Sequence, residues 1–257
     1  MLKLVTYLIN LDQSSERLTR ARAELERCGL EFQRVPAVYG KHVDSERRMR
    51  IGKGGWAKYF QHLSDGEVGC YLSHLRAIDA FLTTDADAAL ILEDDVTPTH
   101  GAASCIASLL MLGNSLPNAV NLAHSRSRGE VIAKLTSGHY LMRSNSCPFG
   151  TTAILWTREG AMRFRANAGQ LTRPVDIDRK HWWERGLEPV WLHPAPFAEA
   201  PANQAPSTIH GRRHRSLVNR VRKAIYRLGF TIESHIALLR VYGVQAWLRA
   251  LQPLPKR

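Results

Sequence analysis

Glu93, Asp94 and Asp95 stand in a row directly after the wholly apolar run of residues 88–92, Ala-Ala-Leu-Ile-Leu. Three adjacent carboxylates repel one another, and their pKa values rise unless a cation compensates. A short apolar run of this kind reads as a buried strand. In an open parallel sheet, ligands bind beyond the carboxyl ends of the strands. Hard divalent cations take oxygen ligands, and a nucleotide diphosphate can complete their shell. The pattern therefore fits Mg²⁺ or Mn²⁺ holding a sugar nucleotide. It fits equally an acidic turn with solvated side chains, and the triplet alone does not separate the two.

The elements that must position the triplet alternate between strand and helix. Residues 3–11 form a predicted strand rich in Leu, Val and Ile, ending in a polar turn that runs from Asn10 to Arg17. The helix after it places Leu18, Ala21, Leu25 and Cys28 on one face and stops at Gly29. Residues 32–38 read as a second strand. Residues 41–65 are charged and Gly-rich, and read as a surface loop. Gly52-Lys53-Gly54-Gly55 within it lacks the spacing and the Ser/Thr of a phosphate-binding loop. A helix over 67–82 carries Leu72, Leu75, Ile78 and Leu82 as one stripe. Further helices are expected at 102–112 and, after a Thr157 cap, at 158–165. Strands are expected at 118–123, 139–143, 151–156 and 190–193. Residues 194–206, rich in Pro and Ala, read as a linker or ordered loop. Short alternating units predict an α/β fold with a mostly parallel sheet and helices on both faces.

With 44% hydrophobic and 23% charged residues, the 257-residue chain can bury a core without disulfides or structural metal. Cys28, Cys70, Cys105 and Cys147 form no Cys-x-x-Cys pair, which predicts unpaired thiols in a reducing compartment. The apolar start is too short for a signal peptide, and no run approaches the ~18 apolar residues of a membrane span. A cytoplasmic location is the expectation.

The net charge is +12, but it is unevenly placed. After residue 210 there are eleven Lys and Arg against one acid, Glu233; the first 210 residues carry 24 against 22. The chain thus divides into a body, 1–210, and a basic helical tail, 211–257. In the tail Leu217, Val218, Val221, Ala224, Ile225 and Leu228 share a helical face, away from Arg215, Arg222, Lys223 and Arg227. That is a basic amphipathic helix suited to an anionic membrane surface, placing the protein peripherally on the inner face of the cytoplasmic membrane. A second apolar stretch, 236–241 and 244–251 with Trp247, suits the interface too, or else packs on the body. Because the basic residues avoid the body and no nucleic-acid motif is present, nucleic acid is not an expected partner.

Three blocks occur in order: Ile9-Asn10-Leu11-Asp12 with Ser15 and Arg17; Gly66-Glu67-Val68-Gly69-Cys70-Tyr71-Leu72-Ser73-His74; and Leu90-Ile91-Leu92-Glu93-Asp94-Asp95-Val96. Val35-Pro36-Ala37-Val38-Tyr39-Gly40 and Gly150-Thr151-Thr152-Ala153-Ile154-Leu155, with Gly160-Ala161, support them. Together they resemble glycosyltransferase family 25, over residues 3–178. The resemblance implies a GT-A-type nucleotide-binding fold, a UDP-galactose donor, Mn²⁺ (or Mg²⁺), and a lipid-linked or lipopolysaccharide-core saccharide acceptor. Its acidic motif is similar to Asp-x-Asp, which falls here on Glu93 and Asp95. Glu93 would then face the ribose and Asp95 the metal, with Asp94 in support. Where the family usually has Ser-Asp-Ile, this chain has Ser207-Thr208-Ile209, so any role of that Asp is missing or moved.

Each matched residue also has a plain structural reading. Asn10 and Arg17 are expected to contact nucleotide, or else to cap and decorate the first helix. Ser73 either serves the site or bonds back to a carbonyl one turn earlier, and His74 serves the site or the core. Glu67 complements a helix dipole or binds acceptor. His193 is a third metal ligand or a loop histidine. Inverting transfer needs a carboxylate opposite the leaving diphosphate that the metal has not neutralised. Arg173-Pro174-Val175-Asp176-Ile177-Asp178, which resembles the family's Pro-Val-Asp segment, supplies Asp176 as general base, with Asp178 as rival; alternatively Asp176 caps the helix that follows. The competing functions are a catalytically silent saccharide-binding relative and a basic nucleic-acid-binding protein. A glycosidase would need two carboxylates flanking the bond.

Overall fold

The computed structural model describes residues 2–44, 59–166, 168, 171–201 and 217–255. The Gly52–Gly55 stretch, Arg215 and Ser207-Thr208-Ile209 lie outside them. An eight-stranded sheet forms the body, in the order β2-β1-β3-β8-β5-β9-β7-β6. Its strands are β1 (Leu4–Asn10), β2 (Gln33–Pro36), β3 (Ala88–Glu93), β5 (Ala119–Asn121), β6 (Glu130–Lys134), β7 (Tyr140–Arg143), β8 (Ala153–Thr157) and β9 (Val190–His193). Strands β7 and β8 run against the other six. The expected mostly parallel α/β sheet is therefore observed.

Period-two alternation gives the sheet two buried faces. On β3, Ala89 and Ile91 point into one cluster, with Tyr71, Leu75 and Ile78 of helix α2 (Asp65–Leu82) and Phe164 of α4 (Arg158–Ala166). Ala88, Leu90 and Leu92 point into the other, with Ala21 and Leu25 of α1 (Ser15–Arg27) and Cys105, Ile106 and Leu109 of α3 (Ala102–Leu110). Burial on both faces explains why β3 is apolar throughout instead of alternating. Each fully buried Leu or Ile there is worth about 1.5–3 kcal/mol.

Helix α2 begins two residues before the expected start at 67, because Ser64 and Glu67 cap it reciprocally. The Glu67 backbone N–H donates to Ser64 Oγ at 3.3 Å, and the Ser64 N–H donates to Glu67 Oε2 at 2.8 Å. The structural reading of Glu67 at the helix start thus holds, as a capping box. Three strands escape the sequence reading: β6 at the sheet edge, and two strands of three residues each. β4 (Val96–Pro98) pairs antiparallel with β10 (Phe197–Glu199), so the Pro- and Ala-rich segment is partly a strand laid beside the acidic triplet.

After the short helices α5 (Val175–Lys180) and α6 (Trp182–Arg185) and the last strands comes α7 (Leu217–Ala250), interrupted at Gly243. Its second half packs on the body: Ala237, Leu238 and Ala250 join the cluster of Tyr71 and Trp182. Trp247 is half-buried there and donates its indole N–H to His235 at 3.0 Å. All four cysteines are free thiols.

The chain after β2 lies against α2 through two glycines. A Cβ on Gly40 would sit 1.7 Å from the Asp65 carbonyl oxygen, and one on Gly69 would sit 2.5 Å from that of Val38. Gly229, in α7, has nothing within 4 Å. Gly40→Ala should therefore lower the unfolding free energy by at least about 1–3 kcal/mol, the usual cost of overpacking. Gly229→Ala should raise it by about 0.5–1 kcal/mol, by helix propensity. Urea denaturation of both variants checks the contrast.

Candidate active site

The triplet lies where β1, β2 and β3 end side by side. Ile9 is in register with Glu93, and Asn10 with Pro36. Asn10, buried, donates from Nδ2 to Asp94 Oδ2 at 2.7 Å and to the Ser14 carbonyl at 2.9 Å. It accepts from Arg34 Nε at 3.1 Å. Arg17, one turn into α1, pairs with both Asp94 and Asp95, the latter at 3.2 Å. Arg20 donates to the Asp94 carbonyl at 2.7 Å. Helix α1 thus brings one guanidinium to the Asp94 and Asp95 carboxylates and a second to the backbone that carries them. Asn10 and Arg17 serve the triplet directly and do not cap α1, whose N-cap is Ser14.

The three acids have different environments. Burial works to raise Glu93, but hydrogen bonds from His74 and Thr151, with the Arg17 charge, outweigh it and hold Glu93 below the usual carboxylate range. His74 Nε2 lies 2.9 Å from Glu93 Oε1, and Thr151 Oγ1 donates to the same oxygen. Burial raises Asp94 against the pull of Arg17 and Asn10. Burial, then the charge of Glu93, push Asp95 up to about 7. Asp95 Oδ1 is buried and has no hydrogen-bond partner.

That orphaned oxygen is where a divalent ion fits. Asp95 with Glu93 offers the hard oxygen donors that Mg²⁺ or Mn²⁺ takes, and a cation beside Asp95 Oδ1 would remove the cost of an unpaired buried acceptor. A softer grouping, Cys70, His74 and Glu93, has its ligand atoms within 4.8 Å of one another. It fits a metal less well. Burial, then Glu93, hold the Cys70 thiol well above its ordinary pKa. A metal on His74 Nε2 would leave the proton on Nδ1, which is buried and unpartnered. With the proton on Nε2, His74 instead donates to Glu93. Near His181 and Glu233, Glu184 is occupied by Arg173 at 2.7 and 3.0 Å.

A cavity of about 500 Å³ opens beside the triplet. It is lined by Asn10, Arg17, Val38, Tyr39, Lys41, Ser73, His74 and all three acids, and its size is that of a small-molecule site. Ser73 donates to the Gly69 carbonyl at 2.6 Å, the back-bond one turn earlier, and accepts from the Val38 N–H at 2.8 Å. It shapes the cavity by holding the loop after β2. A second cavity, about 290 Å³, lies on the other side of Cys70 and Glu93, which line both. Asp176, Glu67, Thr151, Phe149, Tyr59 and Glu199 face it. His193, paired with Tyr140 on the sheet, lines neither.

The alternation of Val175-Asp176-Ile177-Asp178 would put Asp176 and Asp178 on one side of an extended chain, but they do not share a side. The segment is helix α5, its N-cap is Pro174, and Asp176 sits in the first turn rather than capping it. Residues two apart on a helix point to opposite sides. Asp178 turns into the core, where Arg185, Arg173 and the Tyr71 hydroxyl hold it. Asp176 turns to the cavity, and burial, then the charge of Glu93, raise its pKa. Cys70, Thr151, Phe149 and Glu199 also line the site without having been singled out. Thr151 is flagged only by its place in a matched block, and Glu199 reaches the site through the β4–β10 pairing.

The model of glycosyltransferase family 25 (LPS biosynthesis protein) matches residues 3–178. The chain belongs to glycosyltransferase family 25. Among its curated relatives, a glycosyltransferase 25 family member of Drosophila pseudoobscura pseudoobscura is 33% identical over 95 residues, 35% of this chain and 15% of that protein. Procollagen galactosyltransferase 1-B of Xenopus laevis is 30% identical over 95 residues, 35% of this chain and 16% of that protein. The chain thus spans about a sixth of the length of these relatives. Among solved structures, S. aureus TarS 1-349 aligns with 94% of this chain and 74% of its own, at TM-score 0.44 and 9% identity. Galactosyltransferase LgtC with donor and acceptor sugar analogues aligns with 87% of this chain and 95% of its own, at TM-score 0.35 and 11% identity. The α/β sheet carries the acidic motif at the carboxyl edge of its parallel strands, where the family resemblance leads one to expect it.

The geometry separates the two aspartates of α5 by experiment. Asp178→Asn breaks a buried, doubly paired carboxylate and should cost on the order of 3–5 kcal/mol. Asp176→Asn leaves those pairs intact and should cost under about 1 kcal/mol. Denaturant titration of the two variants measures both.

Proposed function

We propose that this family 25 chain transfers a hexose, galactose by resemblance, from a UDP-sugar to a saccharide hydroxyl, with inversion and with a divalent cation. The supporting observation is the pair of cavities that meet at Glu93: one carries the acidic triplet and Arg17, the other Asp176. The galactosyltransferase name of the Xenopus relative supports the sugar, and the lipopolysaccharide description of the family model supports the acceptor.

In this reading the first cavity takes the nucleotide. Arg17 neutralises Asp94 and Asp95 in part, Asn10 locks Asp94, and Glu93 is aimed by His74 and Thr151. A Mg²⁺ or Mn²⁺ held by Asp95 and Glu93 would supply Lewis-acid stabilisation of the departing diphosphate. The acceptor hydroxyl enters the second cavity, and Asp176 removes its proton as general base. Its oxygen bonds to the anomeric carbon while the bond to the diphosphate oxygen breaks, and UDP leaves with that electron pair. A raised pKa suits Asp176 to this task.

Two variants test the assignment together. Asp95→Asn should sharply weaken Mn²⁺-dependent UDP-galactose binding in calorimetry, and unchanged affinity refutes the metal role. Asp176→Asn should keep donor binding while turnover falls by about 10²–10⁴; near-normal turnover refutes the base.

The tail supports docking on an anionic membrane surface. Leu217, Val218, Val221, Ile225, Leu228 and Ile232 are each more than half exposed, and Arg220, Lys223 and Arg227 are exposed on the same helix. No helix among the described residues is long and apolar enough to cross a membrane. Apolar burial plus about 1 kcal/mol per basic residue near an anionic leaflet would bring the site to a lipid-linked acceptor. Replacing Ile225 and Leu228 together by Glu should abolish co-sedimentation with phosphatidylglycerol vesicles and leave the circular dichroism spectrum unchanged. Equal sedimentation of both forms overturns the docking.

A further inference from the structure

The second cavity has a lining of one charge sign. Glu67, Glu93, Asp176 and Glu199 contribute four carboxylates, and no Lys or Arg lines it among the described residues. The first cavity differs, with Arg17 and Lys41 in its wall. The base whose charge reaches Asp176 is Lys180, but its ammonium is spent elsewhere. Lys180 Nζ lies 3.7 Å from the centre of the Phe149 ring and 5.0 Å from that of Phe230.

Phe149 is the second feature. It stands 58% exposed at the cavity although a buried neighbour holds it. A cation on an aromatic face orients the ring, so Lys180, which does not line the cavity, holds Phe149 through one face. The uncovered side is an apolar platform of the kind that small-molecule sites pair with a few polar groups. The ring carbons and C–H bonds of a sugar can lie on it while its hydroxyls donate to the carboxylates.

We infer that this cavity is a saccharide subsite with Phe149 as its platform, and that it takes neutral or amine-bearing sugars and rejects those whose ring carries a carboxylate or phosphate. The inference rests on the reading of this cavity as the acceptor side and adds to it a charge filter. The filter has a physical origin: each hydroxyl of a neutral sugar is a donor to an acid, an ammonium is a stronger one, and a carboxylate is a second like charge without a partner. Glu199 is the part of the filter set by the fold, because β10 holds it beside the triplet.

The test uses three probes that share one pyranose ring and aglycone and differ in a single substituent's charge, on the full chain with UDP and Mn²⁺ present: p-nitrophenyl glucoside, glucosaminide and glucuronide, read by ligand-observed NMR titration. The glucoside and glucosaminide should bind, and the glucuronide at least about tenfold more weakly. Glu199→Gln should narrow that gap, and Phe149→Ala should weaken all three together. A glucuronide that binds as well as the glucoside, a gap that Glu199→Gln leaves unchanged, or no binding by any probe while UDP still binds, overturns the subsite. UDP binding is read in the same samples. Its loss with probe selectivity intact would sink the donor assignment and leave this one standing.

Discussion

Everything at the site depends on how three adjacent carboxylates tolerate one another at the end of a buried strand. The chain supplies part of the compensation itself. The Arg17 guanidinium bridges Asp94 and Asp95, and the Asn10 amide takes the remaining Asp94 oxygen. Both partners come from β1 and the helix after it, which is why the first strand-turn-helix unit and the triplet belong together. Glu93 is settled separately, by His74 and Thr151 from other elements. Only Asp95 is left with a buried oxygen unsatisfied.

Much of this arrangement is legible in the residues. The apolar run of β3, the periodic stripe of α2 and the stop of α1 at Gly29 follow from local pattern, because each is long or clearly punctuated. Gly40 and Gly69 are readable as a motif but not as a mechanism: only the packed chain shows that they let one backbone lie on another. Ser73 carries the structural role its position inside a helix suggests, and through Val38 shapes the cavity as well.

Other features are hidden for identifiable reasons. Strands β4 and β10 are three residues each and lie about a hundred residues apart, so no local period reveals their pairing. Val175-Asp176-Ile177-Asp178 alternates with period two and reads as extended, yet it is helical. What decides is tertiary: Arg173, Arg185 and Tyr71 capture Asp178, and the helix then turns Asp176 the other way. The composition change at residue 211 is plain. That Ala237 and Leu238 belong to the same buried cluster as Tyr71 is not, since small and aliphatic residues fit a surface helix equally well.

The Lys180 ammonium lies between a ring of the body and a ring of α7, Phe149 on one side and Phe230 on the other. Burial, then the charge of Arg126, pull its pKa down to about 8, so its charge is held with little to spare. The helix that carries the outward apolar stripe therefore also supplies half of the seat for this cation. One cation thus joins the exposed Phe149 ring of the body to Phe230 of α7, so a change in that helix reaches Phe149 through Lys180.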